Sequence, residues 1–529
     1  MTTSEVSENT RVTSSRQRWT LLLVLTAAFM LLLDITVVSV ALPSIQRDLN
    51  AGLPDLQWVS AAYTLALAVL LLPAATLGDR LGRRRVFLVG MVVFTVGSLA
   101  SALATTALAL EVFRTLQGVG GAALFAAATP LLRAEFSGPA LGRALGAFGA
   151  TLGGASAIGP LVGGALTDAF GWRSIFFVNL PIGVLAFVIG RTKLRESRNP
   201  AGGRADWMGT ALIVVALTAL MFALIRGNSS GWASPEIVTL FAVAAVGLAA
   251  FVVYELRIAP APMADLRLFQ RRSFAATGFV AFAISATVIG TITYLSLYVQ
   301  NTLGNSPVQG GLRLLPMFLA SFAVALLTGR LIGKVPMRML LGVAMASAAA
   351  GLASMAHLTA TSGWLVLLPG LILAGTGLGI TSTALASTAL SAVEPARAGM
   401  AAGLTNTLRQ VGTATGVAVF GALYANRVSA ATVHELAGQG VPPGAIHRLA
   451  AAVASGAGTR VADTLPAATR AAVAHAARAG TASGLNHVLL AAAAFAVLGA
   501  IVGFAFGPDP AKRVPARSMA ATKPTSPRP

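Results

Sequence analysis

Two residues of opposite charge stand where charge is expensive. Asp34 is the one charged residue of the apolar run Thr20–Pro43, TLLLVLTAAFMLLLDITVVSVALP, and Arg114 lies inside another apolar run at about 108–132. An ionised Asp at mid-membrane depth costs about 2.5–3.5 kcal/mol on insertion scales, so such a group is retained for pairing, water contact or proton exchange. At about 1.5 Å per helical residue, Asp34 lies roughly 14 Å from the outer end of its run and Arg114 roughly 9 Å from the outer end of its own. The two can therefore meet. Burial favours the neutral acid, whereas a nearby guanidinium favours the carboxylate, so a movable arginine makes proton affinity depend on conformation. Gln117, one turn below Arg114, can steady it. The competing reading is a static ion pair that holds two helices together.

Two further patterns carry function. The connector ATLGDRLGRRR, Ala75–Arg85, allows a tight turn at Gly82, and Asp79 near the start of the next span favours that helix's positive end. Asp79, Arg80, Arg83 and Arg84 then form a charge latch for one side of the protein. Simple topological anchoring explains the arginines but leaves Asp79 without a role. In the fifth span the stretch GGASAIGPLVGG, Gly153–Gly164, adds to Gly149 a set of small residues with repeated four-residue spacing, including Gly159 and Gly163 beside Pro160 and Gly164. Small residues at this spacing permit close helix approach, and the proline removes one helical hydrogen bond.

The elements that position these residues follow from composition. Of 529 residues 56% are hydrophobic and 11% charged, with a mean hydropathy of +0.77, which excludes an ordinary soluble domain. The chain reads as an all-α polytopic membrane protein. The net charge of +20 falls in short connectors between apolar segments, so it sets topology and forms no nucleic-acid face. There is no cysteine, which excludes disulfides, thiolate metal sites and cysteine nucleophiles. His434, His447, His475 and His487 are irregularly spaced and read as solvated residues, with no metal site. No HExxH or Walker A pattern occurs, so neither an enzyme nor an ATP-driven machine is expected.

Fourteen spans are expected, at about 20–43, 58–77, 86–105, 108–132, 140–166, 174–191, 207–226, 235–256, 273–300, 307–329, 337–356, 364–388, 399–425 and 484–506. With the N-terminus inside, about 27 Lys or Arg fall on the inner side and about 8 outside, which places both termini in the cytoplasm. The domains follow: a cytoplasmic tail at 1–18, a six-helix bundle at 19–195, a two-helix insertion with flanking segments at 196–272, and a second six-helix bundle at 273–507. The second bundle carries an external loop at 426–483, in which Ala467–Ala479 has the character of a short surface helix. A basic, proline-rich cytoplasmic tail closes the chain at 508–529. The two bundles echo each other at an offset of about 254 residues, with GRLIGKVPMR, Gly329–Arg338, answering the first connector and Gly333 standing where the first copy has Asp79. VGTATGVAVFG, Val411–Gly421, answers the glycine-rich fifth span without its proline. The second bundle has no acid inside a span; Arg313 and Arg409 lie at or within spans, the latter beside Asn406 and Gln410, and Glu394 belongs to a connector.

The stretches LLDITVVSVALPSI, LGDRLGRRR, RTLQGVGGAA, GPLVGG and FFVNLPIG together resemble the major facilitator superfamily, and within it the fourteen-span drug:proton antiporters. The resemblance implies two pseudo-symmetric six-helix bundles, alternating access about a central cavity, and proton-coupled efflux of small amphipathic drugs, antibiotics or natural products. It gives the Asp79 and Arg80 connector the role of a cytoplasmic gate, and Gly159, Pro160, Gly163 and Gly164 that of an antiporter motif. Ala75 replaces the leading glycine of the family's gate loop. By resemblance and helix face, Asp34, Val38, Tyr63, Gln117, Tyr294 and Tyr298 are candidates for the cavity. No cofactor is expected, the proton gradient being the energy source; the partners are the lipid bilayer, protons and the substrate, and the protein is expected to be a monomer in the cell membrane. Nutrient uptake or facilitated diffusion, and a membrane-embedded sensor or scaffold, are the alternatives.

Energetics narrow the substrate. One proton entering down a potential of about 100 mV and one pH unit supplies about 2.3 and about 1.4 kcal/mol, and export of a monocation consumes about 2.3 of this. What remains supports about a tenfold gradient. A neutral, zwitterionic or weakly acidic substrate is therefore expected.

Overall fold

The computed structural model describes residues 3–198, 206–260, 262, 266–332, 334–391, 398–437, 439, 441, 443–455 and 467–507. Gly333, Glu394, Pro442, Pro466 and the tail at 508–529 lie outside them. The described elements are helical. They are α1 (Thr3–Leu49), α2 (Leu53–Leu81), α3 (Arg83–Ala102), α4 (Ala107–Glu135), α5 (Gly138–Phe170), α6 (Ser174–Phe177), α7 (Asn179–Lys193), α8 (Trp207–Ser230) and α9 (Pro235–Val253). After them come α10 (Arg272–Ile284), α11 (Gly290–Leu297), α12 (Pro307–Gly329), α13 (Met337–Ser354), α14 (Leu368–Ser391), α15 (Ala398–Leu436), α16 (Pro443–Ala454) and α17 (Ala467–Phe506).

Twelve helices among the described residues are long and apolar enough to cross a membrane. The two remaining expected spans fall on α5 and α15. Both helices are long, 33 and 39 residues, but α5 is diluted by glycine and α15 by Asn406, Arg409 and Gln410. Twelve spans, all-helical and polytopic, is what length and composition support.

Packing follows the small residues. Hydrocarbon tails are as apolar as leucine, so helices in a bilayer associate through close fit. α1 packs on α5 and α4 on both α2 and α3, while α12 and α13 pack on α14 and α13 and α15 on α17. Two long seams join the N-terminal group to the C-terminal one, α5 against α12 and α2 against α15. The hairpin α8–α9 lies beside the second seam. There Leu217, Met221 and Ile225 of α8 pack on Leu65 and Val69 of α2 and on Ala414 and Ala418 of α15, and Trp58 meets Phe222 at 4.5 Å between ring centres.

Three places depart from the sequence expectations. α1 runs back to Thr3, where an unstructured tail is expected; a helix already nucleated by its span extends at one hydrogen bond per residue without a new nucleation cost. The external loop is largely helical, since α15 continues to Leu436 and α17 begins at Ala467, so Ala467–Ala479 is the first part of the last long helix and not a separate piece. Leu436, Leu449, Val473 and Ala476 form a small apolar cluster that holds this extension together with α16. Finally, the ninth expected span is one continuous run broken twice by π-turns, at Ser285–Ile289 and Tyr298–Thr302. Its hydroxyls bond backward to the backbone, Thr287 Oγ1 to the carbonyl of Ala283 at 2.7 Å and Thr291 Oγ1 to that of Thr287 at 2.8 Å, and such bonding competes with the regular ladder.

Candidate functional site

Asp34 and Arg114 do meet. Both are buried, at 3% and 1% exposure, and Arg114 Nη1 donates to Asp34 Oδ2. Gln117 closes a triangle, its Nε2 donating to Asp34 Oδ1 at 2.8 Å while its Oε1 accepts from Arg114 Nη1 at 2.7 Å. The guanidinium also donates through Nε to the carbonyl of Val59 at 3.2 Å and lies 4.4 Å over the ring of Tyr63. Tyr63 thus serves as a platform for the cation, its hydroxyl 3.5 Å from the carbonyl of Leu31. Glycines allow this density: a side-chain carbon at Gly97 would stand 2.8 Å from the backbone nitrogen of Gln117, and one at Gly121 would stand 3.1 Å from the Tyr63 hydroxyl.

Two further members of the network are not among the candidates drawn from the sequence. Asn179, the first residue of α7, places Nδ2 3.0 Å from Ser98 Oγ and 3.5 Å from Asp34 Oδ1, and Ser98 in turn donates to the carbonyl of Phe176 at 2.9 Å. Asn179 sits within FFVNLPIG, where its polarity in an apolar stretch is the available clue. Ser98 looks like any small residue of a span. With its charge and most hydrogen-bonding positions matched, the carboxylate is held by side chains of α4 and α7, and removing one partner of such a buried pair typically costs about 3–5 kcal/mol.

Beside Arg114 lies the space between the two groups. Ile35, Val38, Ser60, Thr64, Thr293, Thr413 and Val417 line it together with Arg114, and its volume is about 20 Å³. That is room for a water, well below the roughly 300–1,000 Å³ of sites for drug-sized molecules. Of the cavity candidates, Val38 lines this space, and Tyr63 and Gln117 stand behind Arg114. Tyr294 and Tyr298 are placed differently. The Tyr294 hydroxyl donates to the carbonyl of Val417 and accepts from Gln57 Nε2 at 3.2 Å, bridging the two groups, whereas Tyr298 donates to the carbonyl of Ser362 at 3.3 Å, within the C-terminal group.

The end of the protein bearing the α15 and α17 extensions is tied shut. Gln300 Nε2 donates to the carbonyl of Val40 at 2.7 Å, Asn301 Nδ2 to Gln46 Oε1 at 3.2 Å, and Gln46 Nε2 to the carbonyl of Ser455 just after α16. On the same side, Asp48 accepts from Trp172 Nε1 at 2.9 Å and pairs with Arg173 at 2.5 Å.

The glycine motif of α5 serves two neighbours. Gly159 faces Thr36 and Gly163 faces the backbone of Val37, both on α1, while Gly164 abuts Pro307 and Val308 of α12 and the carbonyl of Pro160 meets Gly311 of α12. One stripe thus lets α5 touch a helix of each group. Gly149, further along α5, has no neighbour that an added side-chain carbon would meet.

At the opposite end, the connector's charges pair in an arrangement different from the expected one. Asp79 lies in the last turn of α2, not at the start of α3, and pairs with Arg83 at 2.8 Å. The carboxylate at the positive end of α3 is that of Glu196, which accepts from the backbone nitrogen of Arg84 at 3.1 Å and lies 3.9 Å from Arg85. Arg84 donates to the carbonyl of Arg191, and Arg80 is exposed. Glu196 is 112 residues from Arg84 in sequence, so nothing local announces it. Gly82, at φ +116°, makes the turn, and a side-chain carbon there would stand within 2.7 Å of Glu196 Oε2. Gly82→Ala is expected to lose about 1–3 kcal/mol of stability from the strained backbone alone, read as a lowered Tm of the purified protein in detergent; an unchanged Tm would refute the strain argument.

Sequence comparison places this architecture. Residues 24–417 match the Major Facilitator Superfamily. The chain belongs to that superfamily. Among its relatives in the superfamily, multidrug resistance protein Stp of Mycobacterium tuberculosis is 38% identical over 403 residues, 76% of this chain and 75% of that one. The tetracenomycin C resistance and export protein of Streptomyces glaucescens is 36% identical over 410 residues, 77% and 76% of the two chains. Puromycin resistance protein pur8 of Streptomyces alboniger is 36% identical over 450 residues, 83% and 88%. Solved structures share the fold: a bacterial homologue of the human lysosomal transporter Spinster, inward-facing and occupied, superposes with a TM-score of 0.64 at 16% identity, covering 92% of this chain and 95% of that one. The POT family transporter PepTSo does so at 0.57 and 13%, covering 92% and 97%. This superfamily member is thus a multi-span membrane transporter and not an enzyme.

Proposed function

We propose that the protein exports small amphipathic drugs, antibiotics or natural products across the cytoplasmic membrane in exchange for protons. The buried triangle of Asp34, Arg114 and Gln117 carries this reading, because it is a titratable acid enclosed within the N-terminal helix group, paired to an arginine that lines the space between the two groups of a transporter fold. The export and resistance functions named for the relatives support the direction of transport. In the proposed cycle, protonation of Asp34 releases Arg114, the closed side opens to discharge the substrate, and deprotonation toward the cytoplasm restores the pair. The connector of Asp79, Arg80, Gly82, Arg83 and Arg84 acts as the cytoplasmic gate, and the α5 glycines as the sliding seam. α5 and α15 supply the two further spans of a fourteen-span chain, built as two six-helix bundles with α8 and α9 between them, and the protein works as a monomer with both termini in the cytoplasm.

Expression in a bacterial host lacking its own pumps tests the function. The host should gain drug tolerance that a protonophore abolishes, and tolerance that survives the protonophore would exclude proton coupling. Orientation is checked separately. Because the chain has no native cysteine, single cysteines at Lys334 and Thr361 can be labelled directly with an impermeant maleimide on intact cells. Thr361→Cys should react and Lys334→Cys should react after permeabilisation; the reverse order would invert the topology.

A further inference from the structure

We propose that Arg409 selects the charge of the transported molecule by binding the carboxylate or similar anionic head of an amphipathic substrate between the two helix groups. This rests on the export reading above and adds the substrate class. Thr413 and Val417 of α15 line the small central space, and Arg409 lies one turn before Thr413, the Thr413 hydroxyl bonding to the Arg409 carbonyl at 3.2 Å. Residues four apart share a helix face. Arg409 therefore continues the cavity-lining stripe of α15 toward the gate side, with Asn406 and Gln410 flanking it, and all three are partly buried. On the same side of α15 Gly412 and Gly416 meet the backbones of Phe282 and Ala286, so Arg409 stands between that contact and the space lined by Thr413 and Val417, while on the far face Thr407 bonds to the carbonyl of Ala68.

A cation at this place lacks an acid. Arg409 is eleven residues into α15, about 16 Å along its axis, close to the middle of a hydrocarbon core of about 30 Å, where snorkelling is least effective. Between residues 273 and 507 the sequence has three acids, Glu394, Glu435 and Asp463. Glu435 is about 39 Å further along α15, while Glu394 and Asp463 lie outside the described residues. Across the seam, Asp34 is taken by Arg114 and Gln117. Among the described residues no ion pair involves Arg409. Water can serve this guanidinium when the cavity opens, and a planar carboxylate offers it a two-point partner that water does not. Ser60, across the space on α2, adds a buried hydroxyl with no partner among the described residues. Selection for a negative head agrees with the membrane potential, which favours outward movement of anions.

Equilibrium binding to the purified full-length protein, read by dansyl fluorescence, tests this with dansylglycine and its uncharged counterpart dansylglycinamide. Wild type should bind the acid at least about tenfold tighter, as one charge-assisted contact allows. Arg409→Gln should bring the ratio near one without changing the affinity for the amide, and Arg409→Lys should leave an intermediate ratio. Wild type that binds both equally or neither, or a glutamine variant that weakens both alike, overturns the proposal. So does Arg409-dependent binding of phosphatidylglycerol that dansylglycine does not displace, which would assign Arg409 to lipid. If the glutamine variant does not fold, an unchanged ratio in Arg409→Lys overturns it and a reduced one supports it. Export is measured separately in proteoliposomes: preference in binding without export of either probe leaves Arg409 assigned and sinks the efflux reading instead.

Discussion

Asp34→Asn is expected to abolish concentrative export while leaving downhill exchange in place. In wild-type proteoliposomes, a proton exchanged for a neutral substrate across about 100 mV and one pH unit sets a ceiling of about 500-fold accumulation. Without a titratable group at the triangle the ratio should fall to about one. The substitution keeps the shape of the side chain and one oxygen to accept from Arg114, while its Nδ2 replaces the oxygen that accepts from Gln117, so the loss is of the charge and of one acceptor. It also leaves the Arg114 guanidinium buried without its counter-ion, and stability should drop by up to about 3–5 kcal/mol. The double variant Asp34→Asn with Arg114→Gln separates the two effects: it removes both charges, so Tm should recover in part while accumulation stays at one. Accumulation that persists in Asp34→Asn, in protein shown to be folded, would place proton coupling elsewhere.

A second large effect is expected at the seam of α5 and α12. A side-chain carbon at Gly311 would press into the carbonyl of Pro160, and one at Gly164 would stand 2.8 Å from Val308 Cα. Gly311→Val and Gly164→Val should each cost about 1–3 kcal/mol in the arrangement described here, where the seam is closed, as overpacking does elsewhere. Because this cost falls on one conformation and is relieved when the groups part, the population shifts by about 5- to 150-fold and turnover slows by a similar factor. Gly149→Val lies on the same helix with no neighbour in reach, and its turnover should match wild type. Equal slowing at all three positions would mean that valine disturbs α5 itself and that the seam has no special part.

The chemistry was more legible in the sequence than its neighbours were. A lone acid in a 24-residue apolar run and a lone arginine in another are conspicuous because both are costly in hydrocarbon, and depth arithmetic is enough to set them at a common level. The glycine spacing of α5 was legible for the same kind of reason, since close helix approach admits few other residues. Asn179, Ser98 and Glu196 were not, because a polar side chain that satisfies a distant group leaves no periodicity and no spacing rule behind. Asp79 shows the intermediate case. Its charge pointed to a latch, but whether it served α2 or α3 depended on where α2 ends, and the cap of α3 came from 112 residues away.

By itself the sequence determined that the chain is helical, that it crosses a membrane many times, and where its costly charges lie, because burial in lipid penalises every unpaired polar group and so writes itself into composition. The tertiary structure alone decided which side chains close on Asp34, that one glycine stripe serves both helix groups, and that the described part of the expected outer loop is mostly helical. These depend on which helix faces meet, and in hydrocarbon that choice is made by shape complementarity among small residues, which the order of apolar and polar letters does not encode.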